Sequence, residues 1–360
     1  MPQTVATRDV SDRHLTRPGS AGEVAGKAGT ILVTGAGIDP SLLEPLLDLG
    51  FDLRRPRQPL SENRLVHELK GAVAYLHGGE ERATARALES AAHTLKVVAF
   101  LGVGYENFID VARADELGIV VTNTPGAATD SVAEFTVGQI FLANRRIFEH
   151  LGNRLPDWTS PEELPHNLRR RKIGIVGMGS IGTRIAEMLT MAFGAEVAYY
   201  SRTPKKDVEE RLGITFLPLH ELAENSDILV VMVPLTEKTN PMIDAGVLAR
   251  LRPGTILVNT ARPAVVDPGA LHLCMAEGRV SLAVFDGFYG PDCASANRLL
   301  ADFGHRLLVT GHIASHTREA MDRMVCQAVA SIENVLEHGA DKHAVGNRAG
   351  RVPGVPRNNS

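Results

Sequence analysis

Two side chains suited to binding an anion and moving a proton follow apolar runs in the second half of the chain. Arg262 comes directly after Leu257–Ala261, and His312 follows Leu307–Thr310. An arginine can bind a carboxylate through two parallel hydrogen bonds, and a histidine can transfer a proton near neutral pH. Each residue alone is more often part of a surface ion pair or an ordinary polar residue. Their interpretation therefore depends on the elements that position them.

A glycine motif upstream gives both residues a context. The sequence Gly177-Met178-Gly179-Ser180-Ile181-Gly182 directly follows the apolar run Lys172–Val176 and opens a helical pattern. Glycines in this position permit a tight turn and close approach of a pyrophosphate, which the helix N-terminus attracts. We predict cofactor contacts at Gly177, Gly179, Ser180, Ile181 and Gly182. The alternative is a glycine-rich turn without a ligand.

The end of the next predicted strand bears on the choice of nucleotide. An NAD site usually carries Asp or Glu about 20 residues after the motif, where its carboxylate holds the ribose hydroxyls. This chain has Ser201, Arg202 and Thr203 at that place, with Lys205 close by. A hydroxyl and a cation favour a 2′-phosphate, so NADP is the preferred cofactor and NAD remains possible. The alternative is that Arg202 stacks on the adenine or faces water.

Continuous apolar runs alternate with helical stretches along the chain, which is typical of parallel strands covered on both faces by helices. A long helix is predicted at Thr129–His150 and a last, amphipathic one at Thr317–His338. The predicted strands are Thr30–Thr34, Ala72–Leu76, Val97–Leu101, Ile119–Thr122, Lys172–Val176, Glu196–Tyr200, Ile228–Val233, Thr255–Asn259, Leu282–Phe285 and Leu307–Thr310.

The composition is that of a globular protein with more than one domain. A length of 360 residues is comfortable for two domains, and a net charge of −4 does not favour nucleic acid or an anionic membrane as partner. No apolar run approaches the roughly 18 residues of a membrane helix. Three scattered cysteines favour reduced thiols in a cytoplasmic protein. No metal site is predicted, and the polar tails at 1–27 and 346–360 are expected to be disordered.

Two loops before the glycine motif are candidates for binding an anion. Val103 and Gly104 follow the strand that ends at Leu101, and backbone N–H groups in such a loop suit an anion. The stretch Asn123-Thr124-Pro125-Gly126 leads into the long helix that starts at Thr129. Both loops also fit plain turns, in which glycine and proline are the expected residues.

Taken in order, these motifs resemble the D-isomer-specific 2-hydroxyacid dehydrogenase family over roughly residues 28 to 340. Within the family, Thr129-Asp130 and the Ser201–Thr203 stretch are most similar to the NADP-using glyoxylate/hydroxypyruvate reductases. The stretches that carry the resemblance are Leu95–Val98, Gly104–Asn107, Ile109-Asp110, Asn123–Gly126, Ala133-Glu134, the glycine motif, Val233–Thr236, Asn259–Arg262, Val265–Asp267, Asp286 and His312–Ala314.

The resemblance implies an α/β fold of two doubly wound parallel-sheet domains. A Rossmann cofactor domain (124–312) would be inserted into a flavodoxin-like substrate domain (28–123 plus 313–345), with the active site in the cleft between them. Loop residues His77, Gly78 and Gly79 would reach that cleft and bind the substrate, although an ordinary loop fits them equally well. The resemblance also implies a homodimer.

The resemblance assigns roles as well. Arg262 would bind the carboxylate and polarise the carbonyl of a small 2-keto acid. His312 would act as acid and base, and the N–H groups of Val103 and Gly104 would hold the carboxylate. Asp286 would contact the nicotinamide carboxamide or its surroundings. Further cofactor contacts are expected at Thr129, Val233, Pro234, Thr260 and Ala261.

The chain departs from the family pattern beside its histidine. The family has a glutamate about five residues after the aspartate that matches Asp286, and none is present here. A carboxylate beside an imidazole raises the pKa of the histidine, so its loss predicts a lower pKa for His312. Asp292, Tyr289 or His316 could replace the missing acid. Pro263 also stands where the family usually has a glycine, and Gly311 where it has a proline.

Two alternatives stay open because of this departure. The enzyme could act on another small anion, such as a hydroxyphosphonate, phosphite or formate, and formate oxidation needs no proton relay. The chain could also be a non-catalytic, dinucleotide-sensing protein similar to the C-terminal-binding corepressors. Retention of Arg262 and His312 argues against the second alternative.

Overall fold

The computed structural model describes residues 28–57, 59–147 and 164–349, which fall into two compact units. Unit 1 comprises the described residues up to Ala128 together with those from Arg318 onward, and unit 2 is Thr129–Thr317. The two boundaries between the units, after Ala128 and after Thr317, each lie five residues later in the chain than the predicted ones, after residues 123 and 312. One falls where the long helix begins at Thr129. The other falls after the loop that carries His312, because that loop is hydrogen bonded to unit 2.

Unit 1 is built on a five-stranded, wholly parallel sheet in the order β2-β1-β3-β4-β5, the order of flavodoxin-like folds. Its last helix, Arg318–His338, buries Val325, Val329 and Ile332 in a core with strand residues from one face of the sheet. The strands are β1 (Gly29–Val33), β2 (Phe51–Arg54), β3 (Ala72–His77), β4 (Val97–Phe100) and β5 (Val120–Thr122). The other helices are Glu44–Asp48, Glu62–Leu69, Ala85–Glu89 and Val111–Glu116.

Unit 2 contains a seven-stranded parallel sheet in the order β12-β11-β10-β9-β6-β7-β8. The order reverses between β6 and β9, the switch point at which doubly wound sheets bind ligands. The strands are β6 (Lys172–Val176), β7 (Glu196–Tyr200), β8 (Thr215–Phe216), β9 (Ile228–Val231), β10 (Thr255–Asn259), β11 (Val280–Asp286) and β12 (Leu307–Thr310). The helices are Thr129–Asn144, Ser180–Glu187, Lys206–Leu212, Leu219–Glu224, Ala245–Leu248, Pro268–Ala276 and Ala294–Phe303.

The fold agrees with the predicted class, two parallel-sheet α/β units, and every predicted strand overlaps an observed one. Two strands were not predicted, Phe51–Arg54 and Thr215–Phe216. Both are short strands at a sheet edge. In the first, the apolar residues Phe51 and Leu53 alternate with the charged residues Asp52 and Arg54. An edge strand is covered less completely than a central one, so it lacks the continuous apolar run on which the prediction depends.

The long helix is shorter than predicted. It ends at Asn144, and Arg146 then adopts a left-handed conformation at φ 54°. The Asn144 side chain donates to the His166 carbonyl at 2.7 Å and accepts from the Arg171 guanidinium at 3.0 Å. These contacts hold the end of the helix against residues 166 and 171. The predicted end at His150 lies outside the described residues.

The C-terminal end of the described chain is ordered further than predicted. Gly346–Arg348 form a 3-10 turn, and the Asn347 N–H donates to the Asp115 carboxylate at 2.9 Å. The predicted tail at 1–27 and residues 350–360 lie outside the described residues. Within the described ranges, no helix has the length and apolar character needed to cross a membrane.

Candidate active site and cofactor groove

The glycine motif forms a turn in which the three glycines have different surroundings. Gly177 has φ +108°, and a Cβ there would lie 2.5 Å from the Met232 carbonyl oxygen. A Cβ on Gly182 would lie 2.0 Å from the Gly177 carbonyl oxygen. Gly179, in contrast, has no atom within 4 Å of its Cβ position. Gly177 and Gly182 therefore allow the strand and helix to pack, while Gly179 leaves open space for a ligand.

A groove of about 510 Å³ in unit 2 adjoins this turn. This volume lies in the range of small-molecule sites, and the N-terminus of the helix Ser180–Glu187 forms one part of its wall. The groove carries basic side chains and also the carboxylates of Glu187 and Asp207, and Glu187 is ion paired with Arg184 and Arg211. The features that suit the phosphate-bearing part of a dinucleotide are therefore the opening at Gly179 and the helix N-terminus. Among the residues that line it are Thr129, Gly179, Ser180, Thr183, Arg184 and Lys205.

The turn after β7 contributes the cationic side chain of Lys205 to the wall of this groove, and Arg202 lies in the same turn. The Ser201 hydroxyl donates to the Thr203 carbonyl at 2.6 Å, so its proton is used within the turn. Arg202 is exposed and makes no hydrogen bond or ion pair with another residue in the described ranges. The six residues from Ser201 to Lys206 include no carboxylate.

Four predicted cofactor contacts follow β9 and β10. Val233 is half-buried and Pro234 is exposed beyond the end of β9. Thr260 is buried, and its hydroxyl hydrogen bonds with that of Thr136 at 2.7 Å. The Ala261 N–H donates to the Asn259 side chain at 3.0 Å, so this backbone donor is engaged within unit 2.

Arg262 stands at the carboxyl end of β10 with its backbone held in place. The Asn259 side chain donates to the Arg262 carbonyl at 3.0 Å, and the Val265 N–H donates to the same oxygen at 3.2 Å. The Arg262 guanidinium donates to the Ala261 carbonyl at 2.9 Å. Pro263 begins a 3-10 turn, a first-turn position that suits proline, so its presence in place of glycine is compatible with the fold.

His312 follows β12 in a left-handed conformation with φ 59°, which is rare outside glycine. The buried carboxylate of Asp286 holds this loop. It accepts from the Thr310 hydroxyl at 2.7 Å and from the N–H groups of Ile313 at 2.9 Å and Ala314 at 2.8 Å. The register of β11 with β12 places Asp286 opposite Thr310. Because these donors engage both of its oxygens, the carboxylate fixes the loop rather than pointing away from it.

Asp286 also orients the imidazole of His312. Nδ1 of His312 lies 3.3 Å from the Asp286 carbonyl oxygen. Since a carbonyl only accepts, Nδ1 carries the proton in this contact and Nε2 is directed elsewhere. A Cβ on Gly287, at φ +88°, would lie 3.2 Å from Nδ1, so the glycine lets the ring approach.

The electrostatics around His312 favour its neutral form. Although the residue is exposed on the loop, desolvation of the imidazole is the largest cause that lowers its pKa below 6.5. The positive charge of Arg262 and the neighbouring His316 lower the pKa further, and Asp286 opposes them. Arg262 and His312 follow β10 and β12, so both stand at the carboxyl edge of the same parallel sheet in unit 2.

None of the three residues considered as a replacement for the missing glutamate forms a hydrogen bond to His312. Asp292 is exposed, and the Tyr289 hydroxyl donates to the Val266 carbonyl at 2.7 Å. Burial raises the pKa of Tyr289, which makes it a poor acid. His316 is exposed and lowers the pKa of His312, the opposite of what a carboxylate would do. The carboxylate that raises the pKa of His312 is that of Asp286.

In unit 1, the loop after β4 has free backbone donors. Gly102 has φ +137°, Val103 is exposed, and the N–H groups of Val103 and Gly104 donate to no acceptor in the described part of the chain. Such a pair of N–H groups can bind an anion.

His77 lies in the core of unit 1, and this differs from the predicted substrate contact. Its ring is fully buried, stacked on Tyr75 at 4.9 Å between centroids and approached edge-on by Phe100 at 5.4 Å. Burial lowers the pKa of His77 to about 4, so the ring is neutral near neutral pH. Gly78, half-buried, donates its N–H to the Thr34 carbonyl at 3.1 Å, and a Cβ on the half-buried Gly79 would lie 2.0 Å from a Glu81 carboxylate oxygen.

A buried carboxylate near this loop is not among the predicted site residues. Glu81 is buried, its Oε1 accepts from the Tyr75 hydroxyl at 2.5 Å, and Nδ1 of His77 lies 4.0 Å from the same oxygen. The sequence offers no signal for it, because glutamate in a polar loop normally faces water. Within the described residues, no group of three or more His, Cys, Asp or Glu side chains is arranged to hold a metal ion.

Comparison with known proteins identifies the family to which the chain belongs. A family model described as "D-isomer specific 2-hydroxyacid dehydrogenase, NAD binding domain" matches residues 137–314. The glyoxylate reductase of Aeropyrum pernix is 40% identical over 253 residues, covering 68% of this chain and 74% of that protein. The glyoxylate reductase of Korarchaeum cryptofilum is 35% identical, covering 76% of this chain and 82% of that protein.

A solved structure agrees with these relatives. A protein from Thermus thermophilus superposes with a TM-score of 0.75 at 31% identity, covering 91% of this chain and 100% of that one. The chain therefore belongs to the D-isomer specific 2-hydroxyacid dehydrogenase family, and it is an NAD(P)-dependent oxidoreductase that transfers hydride between a nicotinamide cofactor and small 2-hydroxy or 2-keto acids.

Proposed function

We propose that this enzyme is an NADPH-preferring reductase of a small 2-keto acid, glyoxylate being the first substrate to test. The observation that carries the proposal is the placement of Arg262 and His312 after the carboxyl ends of β10 and β12, at the same edge of one parallel sheet. The relatives named glyoxylate reductase support the choice of substrate.

Arg262 binds the substrate in this proposal. Its guanidinium donates to the carboxylate and to the carbonyl oxygen, and so stabilises the negative charge that develops on that oxygen during reduction. The hydrogen bond from the Asn259 side chain to the Arg262 carbonyl fixes the backbone from which the Arg262 side chain extends. In unit 1, the free N–H groups of Val103 and Gly104 are proposed to bind the substrate carboxylate.

His312 supplies the proton in this proposal. Because Nδ1–H is directed to the Asp286 carbonyl, Nε2 faces the substrate oxygen, and the protonated ring donates from Nε2 as the carbonyl becomes an alcohol. When bound, the reduced nicotinamide supplies the hydride. The glycine turn, Ser180 and Thr129 would hold the cofactor diphosphate in the groove. Val233, Pro234, Thr260 and Ala261 would line the nicotinamide side.

We further propose that the protein is a cytoplasmic homodimer. Within unit 2, Met191 is 79% exposed, and Phe193, 37% exposed, packs against Phe141 with ring centroids 4.8 Å apart. An exposed apolar patch of this kind is typical of a subunit interface. Sedimentation at micromolar concentration should give twice the chain mass, and a monomer would contradict the dimer. The three cysteines are unpaired, which fits a reducing compartment and can be checked by cell fractionation.

Cofactor choice should depend on Arg202. Wild-type enzyme is expected to show a higher kcat/KM with NADPH than with NADH. Arg202→Ala should raise the KM for NADPH by about 10- to 100-fold, the loss of a charge-assisted hydrogen bond, and leave the KM for NADH unchanged. The NADH kinetics of the same variant are the control. A wild-type preference for NADH would contradict the proposed 2′-phosphate contact.

The proposed chemistry should depend on both unit 2 residues. Arg262→Ala should lower kcat/KM for glyoxylate by on the order of 100- to 1000-fold, because the carboxylate loses its charged partner. His312→Ala should lower kcat, since no protonated ring donates to the oxygen. Nicotinamide absorbance measures both.

The matched control is Arg252→Ala, which removes an exposed ion pair with Asp227 at 3.3 Å in the same unit. It should stay within about twofold of wild type. Full activity in Arg262→Ala would overturn the proposal. NADPH binding without oxidation by any 2-keto acid would also overturn it. That result would favour either another small anion as substrate or a dinucleotide sensor.

A further inference from the structure

The loop Gly102–Gly104, whose N–H groups are proposed to hold the substrate carboxylate, is fixed from outside the loop by residues that follow β5. Thr124 is buried, and its hydroxyl accepts from the Gly102 N–H at 2.8 Å. The Thr124 N–H donates to the Gly102 carbonyl at 2.9 Å. Both polar groups of Gly102 are therefore engaged by a single residue, which anchors the start of the loop.

Asn123 acts on the next peptide. Its Nδ2 donates to the Val103 carbonyl at 3.2 Å. The Val103 carbonyl and the Gly104 N–H belong to one planar trans peptide and point in opposite directions. The Tyr105 N–H also donates to the Val103 carbonyl, at 3.1 Å. Together the two hydrogen bonds set the direction of the carbonyl and therefore the direction in which the Gly104 N–H points.

The backbone of Asn123 is in turn held by the C-terminal segment of unit 1. The Asn123 N–H donates to the His343 carbonyl at 3.3 Å, and the Val345 N–H donates to the Val121 carbonyl at 2.8 Å. Ala344 forms an antiparallel bridge with Thr122. The segment 341–345 is thus joined to the edge of β5 by one antiparallel bridge and the hydrogen bonds on either side of it.

A buried carboxylate anchors this segment, here named the C-terminal strap (residues 341–345). Asp341 is 1% exposed and accepts from the Asn334 amide at 2.8 Å, the Ser331 hydroxyl at 3.1 Å and the His343 N–H at 2.7 Å. Ser331 and Asn334 lie on the helix Arg318–His338. The strap is therefore tied to the helix that covers the sheet.

We propose that Asn123, supported by the C-terminal strap, is a positioning residue that aims the Gly104 N–H at the substrate carboxylate. This inference rests on the proposed function, since it assumes that the loop binds that carboxylate. Asn123 acts only through the Val103 peptide. Its loss should therefore weaken substrate binding and leave cofactor binding unchanged.

The test compares Asn123→Ala with Asn123→Asp in the full-length enzyme. Asn123→Ala should raise the KM for glyoxylate, and the Kd for oxamate as a non-reacting 2-keto acid mimic, by about three- to tenfold, the net value of one hydrogen bond. The KM for NADPH should not change. Asn123→Asp keeps the shape but removes the donor, so it should be at least as impaired above pH 6 and recover partly as its carboxyl is protonated.

The matched control is Asn225→Ala, which removes an exposed amide-to-carbonyl hydrogen bond of 2.9 Å in unit 2 and should bind oxamate as wild type does. Unchanged oxamate binding in both Asn123 variants would overturn the proposal. Should Asn123→Ala fail to fold, Asn123→Asp decides, because a purely structural role predicts wild-type oxamate binding at every pH. Failure of the proposed function is recognised separately, by a wild-type activity that survives Arg262→Ala.

Discussion

The candidate site depends on one buried carboxylate, that of Asp286. A non-glycine residue in the left-handed region costs about 1–2 kcal/mol, and His312 adopts it at φ 59°. Hydrogen bonds to a charged group contribute about 1.5–3 kcal/mol each, so the donors from Thr310, Ile313 and Ala314 together outweigh that strain. The loop is consequently held in a shape that its local preferences disfavour. The Asp286 carbonyl then fixes the tautomer of the ring.

This arrangement accounts for a site without the glutamate that the family usually places beside its histidine. Such a glutamate would both orient the imidazole and raise its pKa. Here the orientation comes from a backbone carbonyl, which carries no net charge, while desolvation and Arg262 lower the pKa of His312. The group that orients the imidazole is therefore not one that strongly raises its pKa. The ring keeps a fixed orientation, but its protonated form is less favoured than in a histidine–glutamate pair.

The sequence could predict what depends on local pattern. The glycine motif, the central strands and the positions of Arg262 and His312 at strand ends are read from short runs, and the fold agrees with the predicted class. Contacts between distant residues could not be predicted. Asp286 meets its amide partners 27 and 28 residues away. His77 looked like a loop residue beside two glycines, yet it is buried, because Phe100 and the more distant Phe108 cover its ring.

The most direct test of this account is the pH dependence of glyoxylate reduction, measured as kcat/KM with saturating NADPH. Reduction uses protonated His312, and its pKa is lowered in the folded protein. The rate should therefore be highest in acid and fall about tenfold per pH unit above the pKa of His312, which lies below 6.5. Oxidation of the 2-hydroxy acid uses the neutral ring, so its rate should rise with pH up to that pKa and level off above it. A reduction profile that stays flat far into the alkaline range would contradict the account, because it would require an unassigned acid to keep His312 protonated.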